Sequence, residues 1–126
     1  QLQVVRRLVE ELNIPIRIIG GPTIREEDGL AMSSRNVRLS AEERAVAPRL
    51  HEIMQATAAA LRAGAPFEAT MDAARAAVLE AGFREIDYLE CRSTEGLRPM
   101  CELSGPARML VAAYLGDVRL IDNIEV

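Results

Sequence analysis

Pro22-Thr23-Ile24-Arg25-Glu26-Glu27-Asp28-Gly29-Leu30-Ala31-Met32-Ser33-Ser34-Arg35-Asn36 divides the chain into two differently built parts. Between Asp28 and Asn36 stand an acid, a glycine, a short apolar step, two hydroxyls, an Arg and an Asn, with neither a helical nor a strand period among them. Folding needs alone do not ask for such a segment. The apolar pair Leu30 and Met32 is expected to pack and anchor the polar tip.

Upstream, Leu2, Val4, Val5, Leu8, Val9 and Leu12 recur at three- and four-residue spacing, which predicts a helix running from the first residues to a stop near Asn13. No initiator Met or cap precedes it, so the start reads as cut. Ile14-Pro15-Ile16-Arg17-Ile18-Ile19 then reads as a buried, β-branched strand ending at Gly20-Gly21. A helix feeding a strand that is apolar on both faces is half of a βαβ unit, and such a strand needs parallel neighbours to bury it. No later segment supplies them. Residues 1–39 therefore read as the last piece of a larger α/β domain.

Downstream the organisation changes at Ser40-Ala41-Glu42-Glu43, where Ser and Glu have the spacing of a capping box. Val46, Leu50, Ile53, Met54, Thr57 and Leu61 keep one stripe to Gly64, with Pro48 predicting a bend or a late start near position 47. Pro66 suits the first turn of a second helix, whose face is Phe67, Met71, Ala74 and Val78 and whose stop is Gly82. Ile86–Cys91 reads as a strand and 92–106 as a loop, while Met109–Leu115 and Val118–Ile124 flank the hairpin turn Gly116-Asp117. Residues 40–126 are thus expected to form a small α+β domain, two helices packed on a three-stranded antiparallel sheet.

Composition removes several classes of function. The chain has 126 residues, 49% apolar and 27% charged, with a net charge of −4. Arg residues are scattered rather than clustered, so no footprint for nucleic acid or an anionic membrane is visible. No apolar run approaches the roughly 20 residues that span a bilayer, and no charged-then-apolar leader opens the sequence. A soluble, cytoplasmic setting is expected. Cys91 and Cys101 read as reduced thiols, and with one His and no Cys-x-x-Cys there are too few ligands for a structural zinc site. The single His51 falls mid-helix between Leu50 and Ile53 and reads as a surface or packing residue without catalytic duty. Glu85, Asp87 and Glu90 form an acidic patch, but period two puts Asp87 and Glu90 on opposite faces, so a solvated strand is the better reading than an acid–base pair.

Two accounts of Asp28–Asn36 remain. One makes Arg25–Arg35 a solvated interdomain connector, rich in charge because linkers are wet. The other is an anion-binding loop beyond the carboxyl end of a parallel strand, where open α/β sheets bind ligands. Backbone N–H groups and the hydroxyls of Ser33 and Ser34 can donate to phosphate oxygens, and Arg35 can add a charge-assisted fork.

The run from Pro22 to Asn36 closely resembles the signature of pantothenate synthetases, the pantoate–β-alanine ligases. The resemblance continues through Leu39–Arg44, the Ile86-Asp87-Tyr88-Leu89-Glu90 strand and the Leu120–Ile124 end. It implies that residues 1–39 are the C-terminal end of a Rossmann-like nucleotide-binding domain, and that the full protein is an ATP-dependent ligase in which the pantoate carboxylate attacks the α-phosphate of ATP, releasing pyrophosphate. The amine of β-alanine then displaces AMP from pantoyl adenylate. Mg²⁺ accompanies the ATP, and the full protein is a homodimer. Met32-Ser33-Ser34-Arg35 is similar to the Lys-Met-Ser-Lys-Ser loop of class I aminoacyl-tRNA synthetases, which closes over ATP phosphates. By the same resemblance Ile24 touches the adenine through its backbone, Gln1 contacts pantoate, and residues 29–40 serve as hinge for a C-terminal lid. The family's His-bearing phosphate motif and the Lys-Asp before Gln1 are not in this sequence, which implies a C-terminal part inactive alone. The competing reading is a stand-alone α+β protein-interaction module without catalysis.

Overall fold

The computed structural model describes all residues from Gln1 to Val126. The first element is α1 (Leu2–Glu11), followed by extended and turn conformations to residue 33 and a short 3₁₀ helix, Ser34–Arg38. Then come α2 (Ala41–Val46), α3 (Arg49–Arg62), α4 (Phe67–Glu80), β1 (Glu85–Ser93), β2 (Ala107–Leu115) and β3 (Val118–Glu125).

The helices of the second half sit where their local chemistry puts them. Ser40 Oγ accepts the Glu43 N–H at 3.1 Å while Glu43 Oε2 accepts the Ser40 N–H at 2.8 Å, so two orphan donors at the start of α2 are satisfied reciprocally. Pro48 has no N–H to give, and the helix breaks over Ala47-Pro48 into α2 and α3, as its position foretells. α3 buries Leu50, Ile53, Met54, Thr57, Ala58 and Leu61, and α4 buries Met71, Ala74 and Val78. Both turn one face to the sheet.

The sheet has the order β1-β2-β3, antiparallel throughout. Leu115 pairs with Val118 across Gly116-Asp117, and Gly116, at φ 55, takes the left-handed position that the two-residue turn requires. Along β3, Val118, Leu120 and Asp122 are buried, so the alternation directs one carboxylate into the apolar side. The core joins the inner face of the sheet to α3 and α4 and includes Met109, Val111, Phe83 and, from far upstream, Leu30.

Three expectations need correction. Ile14–Ile19 forms no strand: Ile14, Ile16 and Ile19 are exposed, and no strand or bridge of the chain pairs with the run. β propensity makes a strand only where a neighbour takes the backbone hydrogen bonds. Asp87 does not lie opposite Glu90. Register passes from Ile86↔Ala113 to Tyr88↔Ala112, leaving Asp87 as the extra residue of a bulge, and it turns to the outer face to accept two bonds from Arg119, at 2.6 and 3.0 Å. The connector account of Arg25–Arg35 fails too, as the site itself shows.

Candidate functional site

Ile24–Met32 is a small hairpin. Met32 N–H donates to Ile24 C=O at 2.9 Å, Glu26 N–H to Leu30 C=O at 2.8 Å, and Gly29 N–H to Glu26 C=O at 3.0 Å. Gly29 holds φ 89, a conformation that other residues resist, which closes the turn. Asp28 Oδ1 accepts the Leu30 N–H at 3.3 Å, and its other oxygen accepts from Arg44 of α2 at 2.6 Å. That hydrogen bond from Arg44, first among the causes, holds the Asp28 carboxyl below its ordinary value.

The hairpin is fastened to the helix–sheet unit by burial and by an ion pair, and braced within the loop by a side-chain amide. Leu30 is 5% exposed and belongs to the core, whereas Met32 is 57% exposed, so one of the two apolar residues is the anchor. The Arg25 guanidinium forks onto Asp122, Nη1 donating to Oδ2 at 2.7 Å and Nη2 to Oδ1 at 2.9 Å. Asn36 Nδ2 donates to Ala31 C=O at 3.0 Å and fixes the exit of the hairpin. By contrast, no hydrogen bond joins residues 1–23 to residues 24–126, and α1 buries none of its side chains.

Beyond the hairpin, the Ser33 hydroxyl oxygen accepts the Arg35 N–H at 3.2 Å, which leaves its own hydrogen free to donate. Ser34 and Arg35 are exposed, and the Arg35 guanidinium has no carboxylate partner. Between this loop and the outer edge of β3 lies a cleft of about 110 Å³, lined by Met32, Ser33, Arg35, Asn36, His51, Arg119 and Asp122 among others. The structure therefore brings Met32, Ser33 and Arg35 together at one cleft, with Ser34 beside them. Ile24 is 61% exposed at the base of the hairpin, and Gln1 is exposed at the start of α1.

His51 is a packing residue, yet it faces the loop. Its side chain is 13% exposed, Nδ1 stands 3.4 Å from Asp122 Oδ2, and the ring lies against Gly29 so closely that a Cβ there would meet Cδ2 at 3.0 Å. Burial, and next the neighbouring Arg25 charge, lowers its pKa below the ordinary imidazole value, so the ring is neutral at pH 7. Sequence reasoning missed both Arg25 and Asp122. The available signal was the alternation Val118, Leu120, Asp122, which places a carboxylate on an apolar face and so demands a partner.

No group of three or more His, Cys, Asp or Glu side chains is placed to hold a metal ion, so the chain's own residues do not cage one. No helix is long and apolar enough to cross a membrane. Cys91, buried, and Cys101, exposed, are both free thiols.

The sequence profile described as pantoate-beta-alanine ligase matches residues 1–125. The chain belongs to the pantoate-beta-alanine ligase family. It is 55% identical over 126 residues to the pantothenate synthetase of Roseobacter denitrificans and 58% identical to that of Cereibacter sphaeroides, in each case across the whole of this chain. It spans 44% and 45% of those relatives' lengths. Among solved structures, pantothenate synthetase from Thermus thermophilus superposes with a TM-score of 0.87 at 41% identity, covering 98% of this chain and 45% of that one. The pantoate-beta-alanine ligase of Francisella tularensis, solved complexed with beta-gamma ATP and beta-alanine, superposes with a TM-score of 0.61 at 27% identity, covering 98% of this chain and 39% of that one. The architecture described above is the C-terminal part of that family's fold.

Proposed function

We propose that this chain is the C-terminal part of an AMP-forming ligase that joins pantoate to β-alanine, and that Met32-Ser33-Ser34-Arg35 is its contribution to the ATP-phosphate site. One observation carries the reading: just beyond a hairpin tied by ion pairs and burial, the Arg35 guanidinium has no carboxylate partner and the Ser hydroxyl hydrogens are free to donate, all of them exposed beside a cleft. Charge accumulates on the phosphates when the pantoate carboxylate attacks the α-phosphate and pyrophosphate departs. Preorganised donors and a guanidinium stabilise that charge more than they stabilise bound ATP, which lowers the barrier. Displacement of AMP by the β-alanine amine completes the reaction.

In this account Ile24 meets the adenine through its backbone, Gln1 meets pantoate, and Mg²⁺ enters on the ATP phosphates as their counter-ion. The exposed side chains of Leu2, Val5, Leu8, Ile14, Ile16 and Ile19 are the faces that the remainder of a full-length ligase covers, and that remainder carries the homodimer contact. The division between the two bodies falls at Gly20–Thr23 rather than within residues 29–40. Up to residue 23 nothing is hydrogen-bonded to the helix–sheet unit, and from Arg25 onward the chain is fastened to it. A hinge there moves the phosphate loop as part of the lid.

The test is product analysis with the full-length protein and with residues 1–126 alone. Full-length protein is expected to release pyrophosphate only when ATP and pantoate are both present, and to release AMP and make pantothenate when β-alanine is added. The 126-residue chain is expected to release none. Turnover of a different acid in preference to pantoate, or activity of the short chain, overturns the assignment.

A further inference from the structure

Asp122 is the most buried carboxylate in the chain, its side chain 4% exposed on the inner side of β3. Leaving such a group unpaired costs several kcal/mol, and pairing it gains about as much as an apolar residue of the same size, so net stability is a weak reason for its presence. What an Arg–carboxylate fork adds is orientation, because two parallel N–H···O bonds fix the plane of both groups. Asp122 Oδ1 also accepts the Asn123 N–H at 2.7 Å, which ties the carboxylate to the backbone of its own strand. From the other end, Arg25 Nη1 donates to Gly29 C=O at 3.0 Å, so the same guanidinium spans the hairpin from its first strand to its turn.

His51 completes the arrangement from α3. The Gln55 side-chain amide stands 2.8 Å from Nε2, and when Gln55 donates there the imidazole hydrogen lies on Nδ1, toward Asp122. The Cδ2 edge of the ring against Gly29 leaves the turn no room to settle closer to the helix. Asn36 then holds Ala31, the residue just before Met32. Ser33, Ser34 and Arg35 therefore begin two residues beyond a fixed point.

We propose that Arg25, Asp122 and His51 are positioning residues: a latch that sets where Met32-Ser33-Ser34-Arg35 presents its donors to nucleotide phosphates. This deepens the proposed function and rests on it. None of the three touches the nucleotide in this scheme; they act through the hairpin. Misplacing a phosphate-contacting group by about 1 Å costs on the order of 10²-fold in rate, which is the scale on which a latch is felt.

The experiment uses the full-length protein with Asp122→Asn and, separately, Arg25→Lys, which keeps the positive charge but loses the fork. In pantoate-dependent pyrophosphate release, each variant is expected to lose about 10- to 100-fold in kcat/KM for ATP. The KM for β-alanine, and the rate with supplied pantoyl adenylate, should stay within about 2-fold, because a merely destabilised protein would lose all activities alike. Hydrogen exchange of the amides of residues 30–36 reads the latch without activity and should quicken at least about 10-fold in both variants. If Asp122→Asn does not fold, Arg25→Lys carries the test. Folded variants with unchanged ATP parameters and unchanged exchange overturn the latch while leaving the ligase reading intact. A wild-type protein that releases no pyrophosphate, yet shows the exchange difference, overturns the ligase reading and keeps the latch as a structural fastening.

Discussion

Leu30 and Met32 are two residues apart in the same polar segment, and replacing each with Ala should separate anchoring from function. Leu30 is 5% exposed and joined to the core, while Met32 is 57% exposed at the rim of the cleft. Leu→Ala removes three carbons, worth about 2.4 kcal/mol at roughly 0.8 kcal/mol per buried methylene. A sealed cavity would add more and carry the cost toward about 5 kcal/mol. Here the void would open into the neighbouring cleft, which also touches Leu30, and solvent can fill it, so the cost should stay at about 2–3 kcal/mol. Met32→Ala should cost about 0.5 kcal/mol or less, as for surface substitutions, while weakening ATP use in the full-length protein. Urea unfolding followed by circular dichroism gives both values if the slope is unchanged. Equal costs for the two variants, or less than about 1 kcal/mol for Leu30→Ala, would refute the view that the hairpin is part of the helix–sheet core.

Three further outcomes follow from the geometry. Ser40→Ala removes the hydroxyl half of the capping box and should lower stability by about 1 kcal/mol without touching ATP use, measured by the same unfolding titration. The His51 pKa is depressed in the folded state, so on acidification the unfolded chain takes up its proton first. Stability is then full at pH 7, declines as pH falls below about 6.5, and levels off below the folded-state value. Arg25, Asp122 and Glu52 are the charges around that ring, and His51→Gln should flatten the pH dependence of Tm in this window. Asp28, lowered chiefly by Arg44, contributes stability that is present above about pH 3.9 and is lost as pH falls through its folded-state value, so Arg44→Ala should lower stability slightly at neutral pH, with the two proteins converging on the acid limb.

What could be read from the sequence was what local chemistry determines. Capping at Ser40, the break at Pro48, the stops at Gly64 and Gly82 and the turn at Gly116-Asp117 each depend on a few adjacent residues, and the structure has each of them. The exposed loop donors were legible for the same reason, since Met32–Arg35 is one contiguous run. Pairing was not. Arg25 and Asp122 are 97 positions apart, and nothing in either neighbourhood specifies the other. Every one of the 15 cationic side chains is Arg, so even a demand for a partner to Asp122 does not select one. The Ile14–Ile19 run failed in the opposite way: its composition favours a strand, but strand formation belongs to two segments at once. The bulge at Asp87 likewise depends on the facing strand, where Ala112 and Ala113 stand opposite Tyr88 and Ile86.

The central claim, that Met32-Ser33-Ser34-Arg35 holds nucleotide phosphates, is tested most directly by Arg35→Ala in the full-length protein. Arg35 is exposed and its guanidinium has no ion-pair partner, so the unfolding midpoint should be unchanged. Pantoate-dependent exchange of labelled pyrophosphate into ATP should slow by about 10² or more, the scale for losing one preorganised charged donor in the transition state. An exchange rate equal to that of the unsubstituted protein would contradict the account.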